Sequence, residues 1–191
     1  QLFRVDENDD AFETEFWQKV ITGAIDNKDG YKAIVISNYN KGLISIQMME
    51  ALSEVAQELN IPLFIDTKSI LGEWSKNVNY IKINDKEFRA QLAAGVSEPW
   101  KWCRNLIVTR GKNGAYLYRQ DGSISYHSPA IPRGVASVSG AGDSFHAALV
   151  VKYLENGGKI QEAMDYANKA AAIAVSKPGV VAVTRDEINL L

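Results

Sequence analysis

The segment Ser139-Gly140-Ala141-Gly142-Asp143-Ser144-Phe145, running into Ala147-Ala148-Leu149-Val150, carries the most chemistry in this sequence. Small residues let a backbone come close to a ligand, and a helix start offers unpartnered N–H groups and a partial positive charge. Such a turn is a cradle for an anion. Asp143 stands at the same place, where a carboxylate can take the proton of a hydroxyl as general base. Phosphoryl transfer needs both, charge stabilisation for the moving group and a base beside the nucleophile. The same residues also suit a plainer role, an aspartate in a glycine-rich turn that caps a helix. Two rival nucleotide motifs fail. A dinucleotide fingerprint needs a third glycine where Phe145 stands, and a Walker A loop, G-x-x-x-x-G-K-[ST], occurs nowhere.

The elements that must position this turn follow from periodicity. Phe12, Phe16 and Val20 suggest one amphipathic helix, ended near Gly23 and followed by a turn over 26–30. Ala33-Ile34-Val35-Ile36-Ser37 reads as a strand covered on both faces. Ser45 is a candidate cap for a helix with Ile46, Met49, Leu52, Ala56 and Leu59 on one side. Pro62-Leu63-Phe64-Ile65-Asp66, Tyr80-Ile81-Lys82-Ile83 and Leu106-Ile107-Val108-Thr109 read as further buried strands, with a helix through Glu87, Phe88 and Leu92. Alternating strands and helices imply parallel β-α-β units, in which ligands sit beyond the carboxyl ends of the strands. That draws attention to Ser37-Asn38-Tyr39, Asp66-Thr67-Lys68, Asn84 and Thr109-Arg110-Gly111. A hairpin is expected over 115–118 and 123–127, turning at Asp121-Gly122. Two apolar helices, over 141–155 and 160–175, close the chain, separated by Gly157-Gly158.

Composition narrows the function classes. The 191 residues suffice for one well-buried domain, taken as 1–191, and the formal charge of −2 gives no footprint for nucleic acid or an anionic membrane. One cysteine, Cys103, excludes an internal disulfide, and His127 with His146 makes a poor metal site. No apolar run approaches a membrane span, and the polar, acidic start is unlike a signal peptide. A cytoplasmic enzyme is the expectation, although composition alone equally fits a binding module.

G-A-G-D-S-F before an apolar helix resembles the C-terminal signature of ribokinase-like, or PfkB, sugar kinases. Asn84-Asp85-Lys86-Glu87 is similar to that family's N-x-x-E motif. Thr109-Arg110-Gly111-Lys112-Asn113-Gly114-Ala115 is similar to its T-x-G-x-x-G-A segment, and Ala167-Asn168-Lys169-Ala170-Ala171-Ala172 to its adenine-bordering helix. Gln1-Leu2-Phe3-Arg4-Val5-Asp6, Ser37-Asn38-Tyr39-Asn40-Lys41-Gly42 and Ile65-Asp66-Thr67-Lys68 resemble the heptose 7-phosphate kinase branch, which phosphorylates an anomeric hydroxyl on the route to ADP-heptose. The resemblance implies a three-layer α/β/α fold with a mainly parallel sheet, ATP and Mg2+ as cofactors, and a sugar or sugar phosphate as substrate. It implies Asp143 as base, with Gly140, Ala141 and Gly142 as anion hole. Asn84 and Glu87 would organise magnesium through water, Thr109, Gly111 and Gly114 would line the nucleotide, and Asn168 would lie near its base. Asn38, Lys41 and Lys68 are substrate-side candidates. Lys41, Lys68 and Arg110 read equally well as solvated surface charges, and Trp74, Tyr80, Trp100 and Trp102 read as packing.

Three departures stand out. Ser137 occupies the position where the family motif carries an aspartate, and Asn38 replaces the aspartate of an S-D-Y segment. The chain also starts part-way into the family's length, so the N-terminal strands and lid are expected to be absent. A homo-oligomer, or a chain that supplies those strands, would then cover an open sheet edge. Besides a sugar kinase, the departures leave room for a catalytically impaired relative that only binds nucleotide or sugar phosphate. The missing third glycine argues against a dinucleotide-dependent enzyme.

Overall fold

The computed structural model describes residues 30–42 and 44–191, with Lys19, Thr22 and Gly23. The expected helix through Phe12, Phe16 and Val20, the Gln1-Leu2-Phe3-Arg4-Val5-Asp6 segment and, but for Gly30, the turn over 26–30 lie outside the described residues.

Among the described residues, each apolar run expected as a strand becomes one, and the expected helices form. In chain order these are β1 (Ile34–Asn38), α1 (Ile46–Glu58), β2 (Leu63–Thr67), β3 (Tyr80–Asn84), α2 (Asp85–Ala93), β4 (Leu106–Thr109), β5 (Ala115–Tyr118), β6 (Ile124–Ser128), α3 (Ala141–Glu155), α4 (Ile160–Ser176) and α5 (Arg185–Asn189). Ser45 caps α1 as expected, its hydroxyl accepting from Met48 N at 3.2 Å. The six strands lie side by side in sequence order. β1 to β4 are parallel, and β5 and β6 add an antiparallel hairpin. The hairpin's second strand runs one residue later than expected, from Ile124 to Ser128 instead of 123–127, and its register with β5 shifts between Leu117 and Tyr118.

Alternation along the buried strands sends side chains into two separate cores. Leu63 and Ile65 of β2 join Ile81, Ile83, Leu106 and Val108 beneath α1, with Trp74 and Phe88. Phe64, between them in sequence, points the other way and joins Ile107, Leu117, Phe145, Leu149, Met164 and Ile173 under α3 and α4. The result is the helix–sheet–helix layering expected from the β-α-β pattern. Trp100 stacks with Phe88 and Tyr118, and Tyr80 stacks on Phe64, so these aromatics pack as read from sequence.

The first strand corrects one expectation. Ile36 is buried against α1, but Val35 on the opposite face is 48% exposed. Among the described residues the second helical layer reaches Phe64 in β2 and stops there, so they cover β1 on one face only. β1 also pairs with β2 alone among the described strands, leaving its outer edge unpaired by them.

The parallel register brings the chemistry-bearing residues to one end of the sheet. Ser37 is opposite Asp66, Asp66 opposite Lys82, and Asn84 opposite Thr109. The α3 N-terminus packs at this end.

Phe64 links the layers. It is fully buried, stacks on Tyr80 at 4.8 Å between centroids and meets Tyr153 edge-on at 5.2 Å. Phe64→Ala should cost about 3–5 kcal/mol. In urea unfolding the midpoint should fall with the slope unchanged; a loss under about 1 kcal/mol would mean the site collapses around the gap.

Candidate active site

Two hollows flank the first turn of α3. One is a small polar cleft of about 160 Å³ lined by Asn38, Tyr39, Asp66, Lys68, Lys82, Asn84, Glu87, Gly142 and Asp143, with Ser37 at its edge. The other, about 490 Å³, is mostly apolar and is lined by Thr109, Gly111, Gly114, Asn168 and the valines and alanines near them. Gly142 belongs to both walls.

The turn between them is built for close approach. Gly140 is the cap residue of α3, with φ 78°, and no side chain caps the helix. The first intrahelical bond there runs from Ser144 N to Gly140 O at 2.9 Å. The N–H groups of Gly142 and Asp143 therefore stand at the helix end where an anion would meet them. A Cβ built on Gly142 would lie 3.0 Å from Lys82 Nζ, so the absence of a side chain lets the helix start rest against that ammonium. Lys82 is 5% exposed and bonds Asp66 Oδ2 at 2.6 Å. Its charge is thus held by a carboxylate from the neighbouring strand and lies directly behind the anion cradle.

Asn84 and Glu87 form a reciprocal cap on α2. Asn84 Oδ1 accepts from Glu87 N at 2.9 Å, and Glu87 Oε2 accepts from Asn84 N at 2.7 Å. Both also line the polar cleft, so the pair that caps α2 also faces the cleft. Asp143 is exposed, and its Oδ1 accepts a hydrogen bond from the Tyr39 hydroxyl at 2.7 Å. That bond, with burial, pushes the Tyr39 phenol up to about 12.

Asn38 lines the cleft but is buried, with its amide engaged locally. Its Nδ2 donates to Ser69 Oγ at 3.0 Å, and its Oδ1 accepts from Asn40 N at 2.9 Å. Lys68 lines the cleft, its ammonium 4.8 Å from the Tyr39 ring centroid. Lys41 lies on the same loop but is not among the cleft residues. Arg110 turns away from both hollows, over the Phe88 and Tyr116 rings and toward Asp85.

On the apolar side, Gly114 adopts φ 79°, and a Cβ there would fall 2.1 Å from Ser128 O, so only glycine fits. Asn168 borders the pocket, with its Nδ2 donating to Ser128 O at 2.9 Å and Ser128 Oγ at 2.7 Å. Its amide ties α4 to the end of β6, in addition to bordering the pocket.

Sequence reasoning marked Tyr39 and Asp66 only as strand-end residues, without a role, and passed over Lys82. Lys82 carried a signal: it is the one charge inside the apolar run Tyr80-Ile81-Lys82-Ile83, where a lysine is buried only if paired. Among the described residues no group of three or more His, Cys, Asp or Glu could hold a metal directly. The donors expected from sequence, the Glu87 carboxylate with the Asn84 amide, are hard oxygen ligands of the kind that suit a magnesium ion keeping most of its water.

A six-stranded α/β/α domain with an aspartate at a glycine-rich helix start is the architecture of ribokinase-like proteins. The resemblance is borne out by solved structures: ribokinase from Thermotoga maritima superposes with a TM-score of 0.68 at 22% identity, over 86% of this chain and 58% of that one. Phosphofructokinase-2 from Escherichia coli gives 0.73 at 20% identity, over 94% and 62%. The sequence profile of the pfkB family carbohydrate kinases matches residues 16–187, and the chain belongs to that family. Among curated relatives, the bifunctional protein HldE of Hyphomonas neptunium is 32% identical over 202 residues, covering 99% of this chain and 41% of that protein. HldE of Azorhizobium caulinodans is 35% identical over 171 residues, covering 82% and 34%. The chain therefore spans about two fifths or less of the length of these relatives.

His146, one turn beyond Gly142, adds a pH-sensitive element under the site. It is 3% exposed, and neither ring nitrogen has a hydrogen-bond partner among the described residues. Burial lowers its pKa from the ordinary 6.5 to about 4, with Asp66 opposing and Lys82 assisting. Between those values the unfolded chain binds a proton that the folded protein refuses. Stability should therefore fall as pH drops through that window, by about 3 kcal/mol in all, and stop falling on this account below about 4. His146→Gln should remove this part of the slope in urea unfolding. Parallel pH dependences for wild type and variant would contradict neutral burial.

Proposed function

We propose that this chain is the nucleotide-binding and catalytic part of a carbohydrate kinase that moves the γ-phosphoryl group of ATP to a sugar hydroxyl, with a heptose 7-phosphate as acceptor. The observation that carries the reading is the shared wall: Gly142 borders both the polar cleft with Asp143 and the large apolar pocket. An adenosine moiety suits the apolar side, beside Thr109, Gly111, Gly114 and Asn168. Its phosphates then reach the α3 N-terminus, and the acceptor hydroxyl lies on the Asp143 side. Family membership and the HldE relatives support the reaction class. The heptose acceptor rests on the Ser37–Gly42 and Ile65–Lys68 segments and on the same relatives.

In this reading Asp143 takes the proton of the acceptor hydroxyl as its oxygen attacks the γ-phosphorus. The backbone N–H groups at Gly142 and Asp143 face the charge that develops on the phosphoryl oxygens, and the Lys82 ammonium adds fixed positive potential behind them. Magnesium, arriving with the nucleotide, would neutralise phosphate charge, with Asn84 and Glu87 meeting its water shell. Lys68 offers a point charge to the phosphate of a sugar phosphate. The impaired-relative reading draws on Ser137 and Asn38, each of which lacks the carboxylate of the family pattern.

ADP release from Mg-ATP with a panel of sugar phosphates, measured on the full-length protein, separates the two readings. Turnover with a heptose 7-phosphate above hexose phosphates is the expected result. Asp143→Asn is nearly isosteric and should retain ATP binding while kcat falls about 10²–10⁴-fold, with the KM for ATP little changed. Full activity in that variant would remove Asp143 from the role of base. ATP binding without turnover on any sugar, in a folded wild-type protein, would favour the impaired relative.

A further inference from the structure

Among the described cleft residues, Tyr39 places its hydroxyl on the Asp143 carboxylate. It follows β1 directly, in a loop fixed by Asn38, which accepts from Asn40 N and donates to Ser69 Oγ. The Lys68 ammonium lies against its ring. The ring is thus held from two sides, and its hydroxyl donates to Asp143 Oδ1 at 2.7 Å across 104 residues of sequence. The side chain is nonetheless 50% exposed, so it can swing outward without opening a core. The phenol, raised to about 12 by the Asp143 bond, keeps its proton and remains a donor at any ordinary pH.

A carboxylate oxygen that already receives a short O–H bond is a poorer acceptor for a second proton. We propose that Tyr39 is a guard on Asp143, occupying the base's oxygen until an acceptor sugar displaces it and so withholding the base from water. The proposal rests on the reading of Asp143 as the base of a kinase. The reaction it restrains is ATP hydrolysis. There the oxygen of water attacks the γ-phosphorus, and the bond from that phosphorus to the β–γ bridging oxygen breaks. ADP leaves with the bonding pair, and the water's proton passes to Asp143. With a sugar hydroxyl in place of water the same bonds form and break, and the product is the sugar phosphate ester. A ligand shifts an equilibrium between two side-chain positions only by its differential affinity for them. Water makes no contacts that favour the outward position of Tyr39. A sugar filling the cleft beside Lys68 does, because it takes up the space the ring leaves.

Tyr39→Phe removes the hydroxyl and keeps the ring against Lys68, so the loop should hold. ADP release from Mg-ATP is measured on the full-length protein with and without a sugar phosphate, for wild type, Tyr39→Phe, Asp143→Asn and the double variant. Sugar-independent hydrolysis should rise about tenfold in Tyr39→Phe, a fraction of what an unshielded general base can contribute. The rise should vanish in the Asp143→Asn background, because the two groups act through one hydrogen bond. Hydrolysis that stays at the wild-type level in Tyr39→Phe, or that rises equally without Asp143, overturns the guard. If wild type phosphorylates a sugar while Tyr39→Phe leaves hydrolysis unmoved, the guard alone fails. If folded wild type binds ATP and neither transfers nor hydrolyses, the kinase reading fails, and the guard with it.

Discussion

A side chain at residue 142 would crowd the ammonium of Lys82, and most of the site depends on that closeness. Lys82 sits in the middle of β3 and is almost wholly buried, which is tolerable only because Asp66 on β2 meets it at 2.6 Å. A buried pair of this kind adds little net stability, since desolvating both ions offsets their attraction. What it does supply is a fixed positive centre at the junction of sheet and helix. With glycine at 142, the start of α3 can settle against that centre and add its own N-terminal dipole. Two positive sources of different origin then face the same small volume. A side chain at 142 would require the Lys82 ammonium to give by a few tenths of an ångström and would loosen that contact.

The same junction explains why the cleft is polar on one side and apolar on the other. The parallel strands end in Asn38, Thr67, Asn84 and Thr109; Asn38, Thr67 and Asn84 satisfy turns or a cap, Asn38 and Asn84 also border the polar cleft, and Thr109 borders the apolar pocket. The apolar hollow lies between α3, α4 and the 130–138 loop, where Ala171, Ala172 and Val175 present only small side chains. Gly114 holds the β4–β5 connection tight against the end of β6, in backbone space no other residue could share with Ser128 O. Asn168 and Asp165 anchor that end of β6 to α4 through Ser128 and Tyr126. The pocket's floor is therefore set by hydrogen bonds between elements far apart in sequence.

Much of this was legible in the sequence because local rules and the fold agree. Short apolar runs marked β2, β3 and β4, Ser45 marked the start of α1, and the small-residue turn at 140–142 marked the start of α3. Asn84 and Glu87 are read from the family resemblance as ligand-side residues, and the structure has both bordering the cleft while also capping α2, which the resemblance does not imply. What sequence did not yield depends on non-local contact. The exposed face of Val35 follows from where the second helical layer ends, which no window of residues encodes. The Tyr39–Asp143 bond joins residues 104 positions apart, and nothing in either segment announces it. Lys82 was visible as an anomaly, but its partner on the next strand required the register.

The two lost carboxylates look different once their neighbours are known. Asn38 uses its amide nitrogen as a donor to Ser69 and Thr67 and its oxygen as an acceptor from Asn40 N. An aspartate could keep the acceptor bond, but it could keep the other two only by having both hydroxyls reverse and donate to it. Asparagine therefore suits a loop whose task is to hold Tyr39 in place. Ser137 accepts from Ser139 N at 3.2 Å, a turn contact that an aspartate at the same position could also make. Both substitutions preserve the short turns that aim Tyr39 and the Gly140 cap at Asp143. Neither removes a group that touches the Asp143 carboxylate in this structure, where the bonded partner is the Tyr39 hydroxyl. Of the two positions only Asn38 lines the cleft, so only there would a carboxylate place its charge in the cleft wall. On electrostatic grounds that departure bears first on how strongly the site attracts cations and repels a phosphorylated acceptor, and only indirectly on proton transfer.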